Sequence, residues 1–473
     1  MAVEHETRDD SGRMTAPRAR PQAGIVVMLA AERPAASAFE IGPAGLILGR
    51  GSPAGVLDGD ERISRRHARL SFREGPRGIT WTVEDLESRN GTYVDGRRLA
   101  AQGTFEKSAL VRLGRSLIWA VDDVRPLLGH APVAPARGGP VVGGYLRRAF
   151  GEVALASRSS DTLLILGESG AGKELAARAF HDARRAPASR APFVAVNCAA
   201  IPEGLAERLL FGARKGAFSG ATQDADGYVQ EADGGTLFLD EIAELDPLVQ
   251  AKLLRVLETR EVLPLGASRP RSVDIGICAA SHRRLRDEVA AGRFREDLYY
   301  RIGRPEVVVP PLRERLDEIP WFIASLLGEV DANLTASIGF VEACALRPWP
   351  GNVRELKHEV VRAAHRALEE GAKTVETDHL LDDAGAAVTS DGPGRKEGIT
   401  RWSEEEIRRA LAAHGGNVRA TARALDVHRN QLRRWLEKHG AARAAGPDAL
   451  GDAAEAPSGG PPYGQTLPPD DEP

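Results

Sequence analysis

Apolar positions are patterned in three ways along the chain. From Gly24 to about residue 122 they fall in short runs, Ile25 to Leu29, Leu46 to Leu48, Ala68 to Phe72, Ile79 to Val83, Thr92 to Val94, Ala109 to Leu113 and Leu117 to Val121. Turn signals separate these runs, and Asn90-Gly91 and Asp95-Gly96 suit tight hairpins. Many short strands of this kind predict a β-sandwich. From Val141 onward, buried apolar runs alternate with helical spacing, beginning with a helix over Tyr145 to Ser157, which predicts a doubly wound α/β layer structure. Near the C-terminus, Ile407, Ala410 and Leu411 mark one face of a helix over Ser403 to His414, with Ser403 and Glu406 spaced as a capping box. Gly415-Gly416 ends it, Asn417 can cap a second helix over Val418 to Leu425, and a third follows over Arg429 to Lys438.

The polar stretches between these patterns set the domain limits. Residues 1–23 and 441–473 are predicted tails without a core, and 123–140 and 383–398 are predicted linkers, the first a semi-flexible tether rich in Pro, Ala and Gly. That leaves a sandwich at 24–122, an α/β domain with a helical lid at 141–382 and an all-α unit at 399–440. A length of 473 residues and 42% hydrophobic content suit several ordinary cores. The formal net charge of -4 excludes a uniformly basic nucleic-acid binder, so any DNA-binding surface is local. Cys198, Cys278 and Cys344 lack metal-ligand spacing and fit buried thiols in a reducing compartment. With no long apolar run, the expectation is a cytoplasmic protein with no membrane partner.

The chemistry concentrates at Thr162 to Glu174. Leu163, Leu164, Ile165 and Leu166 form a buried strand that breaks at Gly167, Glu168, Ser169, Gly170, Ala171, Gly172 and Lys173. Glycines let successive N–H groups converge on one anion, and Lys173 adds a positive charge at the next helix start. The spacing is that of a phosphate-binding loop, with Glu174 where a magnesium-binding Ser or Thr is usual. Alone, such a turn could be a plain strand-to-helix connection. A second apolar strand, Thr236 to Leu239, ends in Asp240 and Glu241, which suits a magnesium-organising carboxylate followed by a base for the attacking water. Together the two motifs argue for hydrolysis of ATP with Mg2+.

Gly49-Arg50, Ser64 to His67 and Ser88 to Gly91 lie in the sandwich loops, and this region resembles a forkhead-associated (FHA) domain. The resemblance implies that Arg50, Ser64, Arg65 and Asn90 contact a phosphothreonine peptide. Guanidinium forks and a hydroxyl suit a dianionic phosphate. His67 is read as a brace for its loop, and Arg66 and Arg89 fit a solvated face.

The stretches GESGAGKE, GAFSGA, GGTLFLDEI, GRFREDLYYR, PPLRER and WPGNVREL resemble the AAA+ domain of bacterial enhancer-binding proteins, the activators of sigma-54 RNA polymerase. That family also has Glu after the loop lysine. The resemblance implies that Lys173 binds phosphate, that Asn197 holds the catalytic Glu241 until the nucleotide state changes, and that Ser281 and His282 form sensor I. It further implies that Arg295 and Arg301 enter the neighbouring subunit's site, that Arg354 is sensor II, and that the protein assembles from dimers to a hexameric ring. Gly216, Ala217, Phe218, Ser219, Gly220 and Ala221 would touch sigma-54, with Ser219 replacing the family's threonine and Ala213 and Arg214 replacing its usual His and Glu.

The C-terminal helices look like a Fis-type helix-turn-helix. Leu425, Val427, Leu432 and Leu436 would pack it, and Arg429, Asn430, Arg433 and Arg434 would face a major groove, with Asp426 where glycine is common. The expected function is an ATP-driven activator of sigma-54 polymerase at enhancer DNA, with a phosphothreonine protein as input. The alternative is a phosphopeptide-binding, DNA-bound adaptor whose ATPase no longer acts on sigma-54.

Overall fold

Ile25 to Leu29 and Leu117 to Val121 become neighbouring strands, and both of their faces are covered. A computed structural model describes residues 21–386 and 402–436, apart from 54, 77, 107, 130–139, 185–190, 203, 218–220, 417, 419–420, 422–423, 426–431 and 433–434. The chain divides into two compact units, 1–387 and 388–473.

Among the described residues the sandwich has ten strands: β1 Gly24–Ala30, β2 Arg33–Glu40, β3 Leu46–Leu48, β4 Ala68–Gly75, β5 Gly78–Asp85, β6 Thr92–Val94, β7 Arg97–Arg98, β8 Gln102–Glu106, β9 Ala109–Leu113 and β10 Ser116–Val121. One sheet runs β2-β1-β10-β9-β6-β7 and the other β3-β4-β5-β8. Strands β2, β7 and β8 went unpredicted, because Ala, Ser, Arg and Gly dominate them and no apolar alternation marks them. Asp95-Gly96 closes the β6–β7 hairpin as expected. Asn90-Gly91 does not close a hairpin, because β5 and β6 lie in different sheets and this turn carries the chain between them.

Alternation along β1 and β10 assigns their side chains to two cores. Ile25, Val27, Ile118 and Ala120 face the sandwich interior. Val26, Met28, Leu117, Trp119 and Val121, with Leu110 of β9, join a second core built mostly from the helical lid. Each such side chain, fully buried, stabilises by about 1.5–3 kcal/mol relative to exposure. The seam also holds Arg112, whose Nε donates to Glu342 Oε2 at 2.8 Å and whose guanidinium lies 3.8 Å from the Tyr93 ring. The first residues of the expected linker, 123–128, are packed against this core. Residues 125–127 form a short 3-10 helix with Val124 and Leu127 in the shared core, and the Tyr145 hydroxyl donates to the Asp123 carbonyl at 2.9 Å. Residues 130–139 lie outside the described residues.

The next elements are α1 Gly144–Ser159, β11 Thr162–Leu166, α2 Lys173–Arg184, β12 Phe193–Asn197, α3 Ala206–Phe211, α4 Tyr228–Glu231, β13 Thr236–Asp240, α5 Pro247–Thr259, β14 Glu261–Val262, β15 Arg271–Ser272, β16 Gly276–Ser281, α6 Leu285–Ala290, α7 Glu296–Ile302 and β17 Glu306–Val308. The lid adds α8 Ile319–Val330, β18 Thr335–Ala336, α9 Ile338–Ala345, α10 Asn352–Glu369 and β19 Thr374–Val375. Five parallel strands pair in the order β12-β13-β16-β11-β17. Leu163, Ile165, Phe238 and Cys278 pack on α1 and α2, while Leu164, Leu237, Leu239 and Ile277 face the other layer, as a doubly wound sheet requires. The lid runs on to residue 386, beyond the expected limit of 382: the Gly385 N–H donates to Glu355 and the Trp349 N–H to the Gly385 carbonyl.

In the second unit, α11 Glu404–Ala413 carries the expected capping box of Ser403 and Glu406. Ile407, Leu411, Leu425, Leu432 and Leu436 cluster, and the Trp402 indole, not anticipated, donates to the Leu425 carbonyl at 3.0 Å. Asn417, Asp426, Val427 and both predicted tails, apart from residues 21–23, lie outside the described residues.

Candidate active site

Strand β11 delivers the glycine-rich turn to the C-terminal edge of the parallel sheet, where β13 and β16 also end. A cavity of about 590 Å³ opens there, lined by Ser169 to Leu175, Asp240 and Glu241 on one side and by Phe322, Leu326, Arg354 and Lys357 of the lid on the other. Pro140 and Val141 close one wall.

Lys173 starts α2, and its side chain is only 6% exposed. Its Nζ donates to the Gly167 carbonyl and to Glu241 Oε1, both at 3.1 Å, and stands 4.0 Å from Asp240 Oδ1. One buried cation therefore joins the loop to the paired carboxylates. Gly170 has φ +72°, and a Cβ there would sit 2.3 Å from the Gly351 carbonyl, so only glycine fits beneath the lid. Arg354 Nη1 donates to Ser169 Oγ at 3.2 Å. Glu174 turns to Arg178, one helical turn on, at 2.7 Å.

Asp240 and Glu241 sit in contrasting surroundings. Burial pushes the Asp240 carboxyl up. Burial also acts upward on Glu241, but hydrogen bonds from His282 and Lys173 outweigh it and hold this carboxyl below its usual range. Neighbouring carboxyls set apart in this way suit different tasks. Glu241 also has φ 54°, in the left-handed region that non-glycine residues adopt uncommonly.

The Asn197 side chain accepts from the Ala199 N–H at 3.0 Å and caps a short 3-10 turn, and no bond from it to Glu241 is found among the described residues. His282 holds Glu241, with Nδ1 2.6 Å from Oε2 and its backbone N–H donating to the same oxygen at 3.3 Å. Ser281 is buried at the end of β16, and its Oγ accepts from the Arg283 N–H at 3.0 Å. Arg295 and Arg301 do not line the cavity. Arg295 stands at the residue before α7 and pairs with Asp297 at 2.7 Å, and Arg301 Nη2 donates to the Leu257 carbonyl at 3.2 Å.

Several groups that shape the cavity had no predicted role. Arg313 makes a two-armed bond to Glu168 at 2.8 and 2.7 Å, which holds that carboxyl low. Asn352 and Arg315 bond to carbonyls of the loop. All three lie inside PPLRER and WPGNVREL, so the motifs marked the region without marking the residues.

The sandwich loops form a second polar cluster. The Arg50 N–H donates to the Ser64 carbonyl at 3.2 Å, the Arg89 N–H to Ser64 Oγ at 3.3 Å, and Asn90 Nδ2 to the Arg62 carbonyl at 2.6 Å. The side chains of Arg50, Arg65 and Asn90 are exposed around the half-buried Ser64. His67 is buried, its Nδ1 accepts from the Ser64 N–H at 3.1 Å, and Nε2 therefore carries the proton and donates to the Gly91 carbonyl at 3.2 Å. It is the expected brace.

Gly216 N–H donates to the Ala221 carbonyl at 2.8 Å, closing the base of the Gly216 to Ala221 loop, while Phe218, Ser219 and Gly220 lie outside the described residues. The same holds for Arg429, Asn430, Arg433 and Arg434. No helix among the described residues is long and apolar enough to cross a membrane.

Three family models match the chain in order: the FHA domain over residues 46–114, the sigma-54 interaction domain over 144–308, and bacterial regulatory proteins of the Fis family over 403–439. The C4-dicarboxylate transport transcriptional regulatory protein DctD of Rhizobium meliloti (strain 1021) is 37% identical over 353 residues, which cover 73% of this chain and 72% of that protein. The transcriptional regulatory protein ZraR of Salmonella typhi is 38% identical over 328 residues, 68% of this chain and 74% of that protein. Among solved structures, NtrX from Brucella abortus in complex with ATP is 29% identical with a TM-score of 0.47, covering 64% of this chain and 70% of that one. Given a relative at 37% identity over most of its length and the three domains in sequence, the chain belongs to the family of sigma-54-dependent transcriptional activators, with an FHA domain ahead of its AAA+ domain and a Fis-type helix-turn-helix behind it.

Proposed function

We propose that the chain hydrolyses Mg-ATP in a ring of its own copies to remodel sigma-54 polymerase at enhancer DNA, under control of a phosphothreonine protein. The observation that carries this reading is the buried Lys173, which joins the phosphate loop to Asp240 and Glu241 at the floor of a nucleotide-sized cavity. Among the described residues no group of three His, Cys, Asp or Glu side chains could hold a metal alone. That fits magnesium, which enters on phosphates and takes one or two carboxylates, here Asp240. Magnesium would offset the phosphate charge.

The residues divide the remaining work. Gly167 to Lys173 cradle the phosphates, and Arg354 from the lid reaches the same loop. Glu241 accepts a proton from the attacking water once nucleotide draws Lys173 away, and His282 orients it until then. Arg295 and Arg301 lie away from their own chain's cavity, which supports service to a neighbouring subunit. Gly216 to Ala221 would touch sigma-54, Arg429, Asn430, Arg433 and Arg434 the DNA, and Arg50, Ser64, Arg65 and Asn90 the phosphothreonine.

The test is transcription in vitro from a sigma-54 promoter with purified full-length protein and ATP. Wild type should yield transcript, Lys173→Ala should lose nucleotide binding, and Glu241→Gln should bind ATP yet turn over about 10²–10⁴-fold more slowly. Equal turnover in all three sinks the ATPase assignment. Intact hydrolysis without transcript would favour the adaptor reading. In the sandwich, Arg50→Ala should weaken a phosphothreonine peptide by about 1.5–3 kcal/mol in calorimetry, since it truncates a charge-assisted contact.

A further inference from the structure

The phosphate loop is held by the lid and by the segment that leads into it, one carbonyl after another. Asn352 Nδ2 donates to the Ser169 carbonyl at 3.0 Å, the Val353 N–H to the Gly170 carbonyl at 3.2 Å, and Arg315 Nη2 to the Ala171 carbonyl at 2.5 Å. In a trans peptide the C=O and the following N–H point in opposite directions. Securing the Ser169 and Ala171 carbonyls therefore fixes the planes of the peptides that carry the Gly170 and Gly172 N–H groups.

Both side chains are built into place. Asn352 is fully buried, and its two N–H groups are shared among three acceptors: Nδ2 also faces Glu168 Oε2 at 3.1 Å and the Pro350 carbonyl at 3.3 Å, while Oδ1 accepts from the Leu312 N–H at 2.7 Å. Its φ of 52° is a conformation that asparagine tolerates better than most residues. Arg315 is 1% exposed, and its other arm donates to Glu318 Oε2 at 2.9 Å. Glu318 Oε1 in turn accepts from the Gly143 N–H at 2.8 Å. That chain of bonds ends two residues from Val141, in the cavity wall.

We infer that Asn352 and Arg315 are positioning residues for the nucleotide reaction: from the lid side they fix the peptide planes whose N–H groups bind phosphate. This rests on reading the cavity as a nucleotide site. The same contacts make the phosphate loop and the lid register on each other, so the loop takes its binding shape only when the lid is seated.

Nucleotide affinity should then fall while the chemical step survives, because the loop N–H groups grip ground state and transition state alike. Asn352→Gly keeps the left-handed backbone and removes the side chain, and Asn352→Asp keeps the shape but turns the donor into an acceptor. In full-length protein with an unchanged melting temperature, each should weaken ATP about tenfold, the worth of one well-placed hydrogen bond, with kcat at saturating ATP kept within about twofold. Pyrophosphate, which has no base or sugar, should lose as much in calorimetry. Arg315→Lys can reach the Ala171 carbonyl or Glu318 but not both, and should show the same split. ATP affinity within about twofold of wild type in folded Asn352→Asp overturns the inference. So does a loss seen for ATP but not pyrophosphate, which would place the effect at the base wall. A wild type that binds neither ligand removes the nucleotide reading itself.

Discussion

Glu241 shows how a single residue here is set by its neighbours. His282 and Lys173 hold its carboxyl down against the upward push of burial. A base of depressed pKa stays ionised as the pH falls, so His282→Ala should move the acid limb of the ATPase pH profile to higher pH. An unmoved limb would mean that Glu241 is not the group titrating. The sequence made Lys173, Asp240 and Glu241 legible, because a glycine-rich turn and a strand ending in two acids each require those residue types at that spacing. It could not show that Asn197 caps a turn while His282 takes Glu241, since these contacts are set by the packed geometry and not by residue type or spacing. Asn352 was hidden for a different reason: its work lies in carbonyl contacts that no residue pattern announces.

At the scale of elements, β1 and β10 are the informative strands. An antiparallel sheet with one wet face alternates apolar and polar residues, yet Ile25 to Leu29 and Leu117 to Val121 are apolar without a break. That lack of alternation was a readable sign of a second buried face, although composition alone suggested a tether after residue 123. Strand β6 runs from the Asn90-Gly91 turn to the Asp95-Gly96 turn, and between them Tyr93 supports Arg112, the partner of Glu342 in α9. Only a three-residue strand thus separates the predicted phosphate-reading loop from the lid. Arg112→Ala would leave Glu342 largely buried without its cation and should cost about 2 kcal/mol, whereas removing both charges with apolar residues should cost much less. Thermal unfolding gives the energies. Labelling of Cys344, buried in the same seam, reports local opening, and an unchanged labelling rate in Arg112→Ala would show that the pair does not hold the seam.

For the molecule as a whole, three family matches in a row suggest parts that could be exchanged between regulators. The shared core forbids a clean cut between the first two. Separated at residues 130–139, the sandwich fragment would show water Val26, Met28, Leu110, Leu117 and Trp119, and the lid fragment Ile323, Leu327, Phe340 and Val341. Apolar patches of that extent cause self-association. Each fragment expressed alone should elute as aggregates in size-exclusion chromatography and bind a hydrophobic dye, and the two should recover when expressed together. Two monodisperse, dye-silent fragments would refute this. If it holds, the FHA domain is not portable: grafting it onto another activator would mean transplanting the lid surface with it.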